Sequence, residues 1–137
     1  MPFKLIFAIN NPYKVSEMQA AIGDQLQVIS LKEAGIVKEI SEFWDTLEEN
    51  VWEKARVIHG LTGMDCFSED TGLEVEALGG APGVKSARYA GENADFQQNI
   101  SKLLRELGNT PHRDARFRTV IRSEEHTSEL QSQFHLV

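Results

Sequence analysis

A single cysteine, Cys66, stands in this chain of 137 residues, so no internal disulfide can form. One thiol suits a reducing compartment, and the expected location is cytoplasmic. Long apolar runs are also missing: no stretch is long enough to span a membrane. The N-terminal MPFKLIFAINN reads as a strand, without the longer apolar stretch and small-residue cleavage site of a secretory signal. Basic residues are few, 14 against 21 acidic, for a formal charge of −7. That disfavours a general nucleic-acid binder, which needs a basic face. It does not exclude local phosphate binding through backbone N–H groups, a few lysines and a divalent metal. Repeats and low-complexity segments are absent, and 41% hydrophobic with 26% charged residues describes one ordinary globular domain.

The patterns that are present alternate strand and helix. Lys4 to Ile9 is a short apolar strand, and Val15 to Ile22 reads as a helix ended near Gly23. Gln27 to Ser30 is a second strand. Thr46-Leu47-Glu48-Glu49 has the spacing of a capping box, with Thr46 as N-cap and Glu49 reaching back, opening a helix that runs to about Leu61. Asp65 to Glu69 and Leu73 to Val75 read as strands around a turn at Asp70-Thr71-Gly72, and Gly79-Gly80-Ala81-Pro82-Gly83 as a loop. Phe96, Ile100, Leu103, Leu104 and Leu107 form a helical stripe expected to pack in the core. Ala115 to Ile121 alternates like a strand entering a sheet. The class is α/β.

Three stretches could carry chemistry. Asn10-Asn11-Pro12-Tyr13-Lys14 would place two amides, backbone donors and a lysine at a helix N-terminus, a place that favours anions, with Pro12 suited to the first turn. The alternative is an ordinary strand-to-helix turn. In Glu69-Asp70-Thr71-Gly72 only one acid can point to a given face of a strand. That carboxylate could hold a divalent cation and take a proton from water, or Asp70 and Thr71 could merely bond the local backbone. Lys54 shares a helical face with Leu47, Val51 and Ile58, with Asn50 on its flank. Its ammonium group needs an anion, or must snorkel to water. His59 and His112 have no metal-ligand spacing and read as structural or surface residues; Cys66 reads as buried and inert.

Taken together, FAINNPYK, DTLEENVWEKAR, FSEDTGLEVEALGGAPGVKSARYAGE and ARFRTVI resemble, in that order, the inosine triphosphate pyrophosphatase family. The resemblance runs from Lys4 to about Ile121 and favours the functional alternative at all three stretches. It implies a mixed central sheet flanked by helices, the ITPase-like (Maf/Ham-type) fold, incomplete here at the C-terminus. The implied activity is Mg²⁺-dependent hydrolysis of inosine- and xanthosine-type purine nucleoside triphosphates (ITP, dITP, XTP) to the monophosphate and pyrophosphate. Carried over by residue, the substrate-binding segment is Ile9, Asn10, Asn11, Pro12, Tyr13 and Lys14, joined by Lys54 and Thr71. Asp70 is the implied proton acceptor and metal ligand, and Glu42 the second metal ligand. No membrane or nucleic-acid partner is implied, and the full-length enzyme is expected to be a homodimer.

Some positions depart from the family pattern. Ile9 stands where Thr or Ser is usual, Phe43-Trp44 where Thr-Gly follows the glutamate, and Glu69 where Asp is usual. The family's later aromatic-Gly-aromatic-Asp-Pro motif, its lysine and its His-Arg pair have no counterpart. Instead, RSEEHTSELQS (Arg122 to Ser132) resembles, codon by codon, the in-frame translation of a widely used sequencing-library adapter. The expectation is therefore an N-terminal part of the pyrophosphatase domain at residues 1–121 and a non-native tail at 122–137. Without the tail, 13 basic and 18 acidic residues remain, still an acidic chain. Alone, the chain is expected to have little or no activity. Two alternatives are a module that binds Mg-nucleotide without catalysis and a fragment with no function.

Overall fold

A computed structural model describes residues 3–38, 40, 44–125 and, for their backbone alone, 132–136. Strand β1 (Phe3–Phe7) leads into helix α1 (Pro12–Ile22) and strand β2 (Leu26–Ile29); helix α2 (Leu47–Thr62) then leads into the long strand β3 (Cys66–Val75). The two-residue β4 (Pro82–Gly83), helix α3 (Phe96–Leu107), β5 (Ala115–Glu124) and β6 (Ser132–Leu136) complete the order, with short 3₁₀ turns at Glu76–Leu78 and Ser86–Arg88. The strands form one mixed sheet in the order β2-β1-β3-β5-β6, with β4 on β3. β1 is parallel to both β2 and β3, and the β3–β5, β5–β6 and β3–β4 pairs are antiparallel. Among the described residues no helix is long and apolar enough to cross a membrane.

β1 is apolar on both faces because it is covered on both. Ile6 joins Ala8, Ile29, Ala55, Ile58 and Cys66 under α2, while Phe7 joins Val28 and Phe67 under Val15, Met18 and Ile22 of α1. Phe7 and Phe67 stack with ring centroids 4.4 Å apart. β3 follows the same alternation. Cys66 and Ser68 face α2, where the Ser68 hydroxyl donates to Val51 O at 2.6 Å, and Phe67 faces α1. α2 presents Leu47, Asn50, Val51, Lys54, Ala55 and Ile58 to the sheet, every one buried. Arg118 of β5 holds the helix to the sheet from the side, donating to Glu48 of α2 and, at 2.9 Å, to Glu74 of β3.

Several local expectations need correction. α1 starts at Pro12 rather than Val15, because Asn11 caps it by accepting from the Tyr13 and Lys14 N–H groups. The Thr46 hydroxyl accepts from Glu49 N–H, but the Glu49 carboxylate accepts from that hydroxyl, not from the backbone; the reciprocal capping box forms at Asp95 and Gln98 of α3. Asp70-Thr71-Gly72 is no turn, since β3 runs unbroken through it in a ten-residue register with β5. That register also carries β5 past Ile121 to Glu124, where buried Arg122 and Glu124 pair at 3.2 Å. Part of the glycine-rich loop becomes β4, lying on β3 opposite Leu73 and Glu74. The α3 stripe is not core: Phe96 is 87% exposed, and Ile100 and Leu104 are about half exposed.

Gly72 explains the close approach of β4. A Cβ there would fall inside van der Waals contact with the carbonyl of Gly83. Gly72→Ala is therefore expected to cost about 1–3 kcal/mol, read as a lower urea midpoint at unchanged slope. An unaltered midpoint would show that β4 does not press on β3.

Candidate active site

β1 is flanked by two parallel strands reached through helices on opposite faces: α1 leads from β1 to β2, and α2 leads from β2 to β3. Such a reversal opens a crevice at the carboxyl ends of the strands, where ligands of α/β sheets bind. β1 ends at Phe7, opposite Phe67, while β3 continues. The next polar pair on β3, Glu69 and Asp70, therefore lies at the mouth of that crevice.

The alternation of β3 sends the two carboxylates to different helices. Glu69 faces α1 and accepts from Lys14 Nζ at 2.9 Å. Asp70 faces α2, where Oδ2 accepts from Asn50 Nδ2 at 3.4 Å and Oδ1 from the Thr71 N–H at 3.1 Å. Asn50 in turn accepts from Trp44 N–H at 3.0 Å, so a buried amide links the approach to α2 with the carboxylate. Lys54, on the same helix one turn beyond Asn50, is buried and carries its charge into the field of both acids.

Burial sets the electrostatics. It pushes the Asp70 carboxyl above its ordinary range, against the pull of Lys54, Asn50 and the Thr71 N–H. It also pushes Lys54 below its ordinary value, opposed by Asp70 and Glu69. Each group is penalised for its own charge and relieved by its neighbours. The Cys66 thiol, buried under α2, is pushed up to about 12, chiefly by desolvation. At that value the thiol stays protonated near neutral pH.

The other expected residues occupy mixed positions. The Asn11 side chain is committed to capping α1, and Pro12 fills its first turn. Asn10 Oδ1 accepts from Lys32 N–H at 2.8 Å, bracing the loop after β2. Ile9 packs at the edge of the α1-side core, and its carbonyl accepts from Leu31 N–H at 3.0 Å. The Tyr13 ring is 81% exposed. Thr71 Oγ1 lies 2.7 Å from Thr119 Oγ1 across the β3–β5 pair. Glu42 lies outside the described residues. Lys14, Lys54, Glu69 and Asp70 are thus gathered, with Asn50 between them and Trp44. The role of Asn50 had one signal in the sequence, an amide on the flank of an otherwise apolar helix face.

His59 and His112 lie away from the crevice. His59 Nδ1 is 3.0 Å from Met64 O, closing the end of α2. His112 is exposed, although the backbone bond from Glu76 N–H to Asp114 O brings three side chains together there. The ligand atoms of Glu76, His112 and Asp114 lie within 4.8 Å of one another, a proximity that the sequence spacing does not reveal.

The model of the Ham1 family matches residues 5–135. The chain belongs to that family. A dITP/XTP pyrophosphatase of Porphyromonas gingivalis is 50% identical over 86% of this chain and 61% of its own length. Another, from Flavobacterium johnsoniae, is 45% identical over 86% of this chain and 62% of its own. The structure of the Staphylococcus aureus Ham1 protein matches with a TM-score of 0.89 at 36% identity, over 96% of this chain and 68% of that one. This family member thus spans about three fifths of the length of the curated relatives it matches. The mixed sheet flanked by helices that the family resemblance implies is the fold of that Ham1 structure.

The charge cluster has a measurable signature. Asp70 should titrate above the ordinary carboxylate range by carbon-detected NMR, and Lys54→Met should raise it further, since the lysine is its main stabilising charge. The folded chain then binds that proton more tightly than the unfolded chain. Stability accordingly falls as the pH rises between the two values and Asp70 ionises. A lower value in the Lys54→Met variant would contradict this arrangement.

Proposed function

We propose that this chain is the N-terminal part of an enzyme that hydrolyses ITP, dITP and XTP to the nucleoside monophosphate and pyrophosphate, removing them from the nucleotide pool. The observation that carries the reading is the convergence of Lys14 and Lys54 on Glu69 and Asp70 at the carboxyl end of β1. The names of the curated relatives, dITP/XTP pyrophosphatases, support this substrate class.

A triphosphate entering the crevice offers Lys14 and Lys54 a stronger counter-ion than the carboxylates they now face. Lys14 swings from Glu69 onto the phosphate chain, beside the amide of Asn10. Lys54 approaches from the α2 side, and Thr71 contacts the substrate next to Asp70. The all-oxygen donors of Asp70, with Glu42, suit a hard cation such as Mg²⁺, which when bound would neutralise phosphate charge. Asp70, its basicity raised by burial, takes a proton from the attacking water, while Asn50 and the Thr71 N–H fix the carboxylate. Water adds to the α-phosphorus, the bond to the bridging oxygen breaks, and pyrophosphate leaves.

The whole enzyme is read as a cytoplasmic homodimer. The boundary is read at Ile121, with 122–137 a non-native tail, and the 137-residue chain as inactive. Resequencing the source DNA past codon 121 with a different adapter chemistry should show the strand continuing into the aromatic-Gly-aromatic-Asp-Pro segment. Finding RSEEHTSELQS in the genome would refute the boundary.

The activity itself is tested on residues 1–121 joined to the part of the Porphyromonas gingivalis relative that follows its match. Pyrophosphate release from XTP or dITP is expected with Mg²⁺, and Asp70→Asn should lower kcat roughly 10²–10⁴-fold. Nucleotide binding without release, indifferent to Asp70→Asn, would instead identify a non-catalytic binding module.

A further inference from the structure

Thr71 Oγ1 and Thr119 Oγ1 lie 2.7 Å apart, the length of an ordinary O–H···O bond. The antiparallel register sets Thr119 of β5 directly opposite Thr71 of β3. Along β3, the face that holds Thr71 also holds Phe67 and Glu69; along β5, the face that holds Thr119 also holds Ile121. Phe67 and Ile121 pack in the cluster under α1, and Glu69 accepts from Lys14 of that helix. The two hydroxyls are therefore the next polar groups along these strands beyond the Lys14–Glu69 pair, on the α1 side of the crevice.

The backbone of Thr71 is fixed by the β3–β5 ladder and by N–H donation to Asp70 Oδ1 at 3.1 Å. What remains to be set is the direction of its hydroxyl proton. Two hydroxyls at this distance use one proton in the bond between them and leave the other free. With Thr71 as donor, its proton is spent on Thr119, and its oxygen presents only lone pairs to an anion. With Thr119 as donor, the Thr71 proton is free to turn toward the crevice, and the bond received at Oγ1 makes it a stronger donor. An anion beside Thr71 selects the second arrangement.

We infer that Thr119 is a positioning residue: its hydroxyl donates to Thr71 and so makes the Thr71 hydroxyl a donor aimed at the phosphate chain. The inference rests on the triphosphate site proposed above and gives Thr119 itself no contact with the nucleotide. A cross-strand threonine pair that served the sheet alone would show the same distance, but it would respond differently to substitution.

The test is calorimetric titration of the 137-residue chain with XTP in the presence of Mg²⁺. Thr119→Val keeps the β-branched shape and removes the donor. It is expected to weaken binding roughly three- to tenfold, the range for one hydrogen bond. Thr119→Ser keeps the donor and should bind within about twofold of the parent chain. Thr71→Val should weaken binding as well. Adding Thr119→Val to it should cost nothing further, because a residue that acts through Thr71 has no effect once that hydroxyl is gone. Unchanged affinity in Thr119→Val, failure of Thr119→Ser to restore it, or an additive loss in the double variant would each overturn the inference. Lys14→Met, measured alongside, separates these results from failure of the site. Weaker binding in Lys14→Met with unchanged binding in Thr119→Val removes only the positioning role. Unchanged binding in both, or none in the parent chain, removes the site and the inference together. Should Thr119→Val not fold, Thr119→Ala removes the same donor and takes its place.

Discussion

The site depends on holding two ammonium groups and two carboxylates together where β1 stops and β3 goes on. Strand alternation alone would separate Glu69 and Asp70, sending one to each face of the sheet. They meet at one crevice because β1 ends at Phe7, opposite Phe67, and leaves the space beside the continuing β3 open. Helices on opposite faces then each supply a lysine, Lys14 from the first turn of α1 and Lys54 from the second turn of α2. The opposite charges make the partial burial of Lys54 and Asp70 tolerable, since either alone would carry an uncompensated desolvation cost.

This arrangement stores its own reactivity. Burial raises the basicity of Asp70 and destabilises the charge on Lys54, so both ions are held less comfortably than in water. In the proposed reaction a polyphosphate would relieve this by giving the lysines a denser anion, leaving the carboxylates to a cation and water. Sites built this way cost the fold stability that an inert cluster would not. The surrounding framework is accordingly firm, with stacked Phe7 and Phe67, the hydroxyl of Ser68 locked on Val51, and the Glu48–Arg118–Glu74 bridge beside it.

Much of this was legible in the sequence, for identifiable reasons. The apolar run at Lys4 to Ile9 and the stripe Leu47, Val51, Ile58 follow from burial, which dominates the choice of element. Lys54 stood out because a charge in such a stripe demands a partner. Asp70-Thr71-Gly72 misled because glycine beside two turn-forming residues signals a break, whereas here the glycine makes room for β4 against an unbroken strand. The α3 stripe has the periodicity of a core helix, but periodicity cannot tell whether an opposing surface is there to bury it. The Glu69–Lys14 and Asp70–Asn50 contacts join residues far apart in sequence, so only the fold could pair them.

The most direct test of the account is calorimetric titration of the 137-residue chain with Mg²⁺ and XTP, alongside its Lys14→Met and Lys54→Met variants. Saturable binding is expected, weakened in each variant by roughly tenfold or more, as loss of a charge-assisted hydrogen bond requires. Saturable binding that is equally tight in all three proteins would place the triphosphate elsewhere and contradict the account.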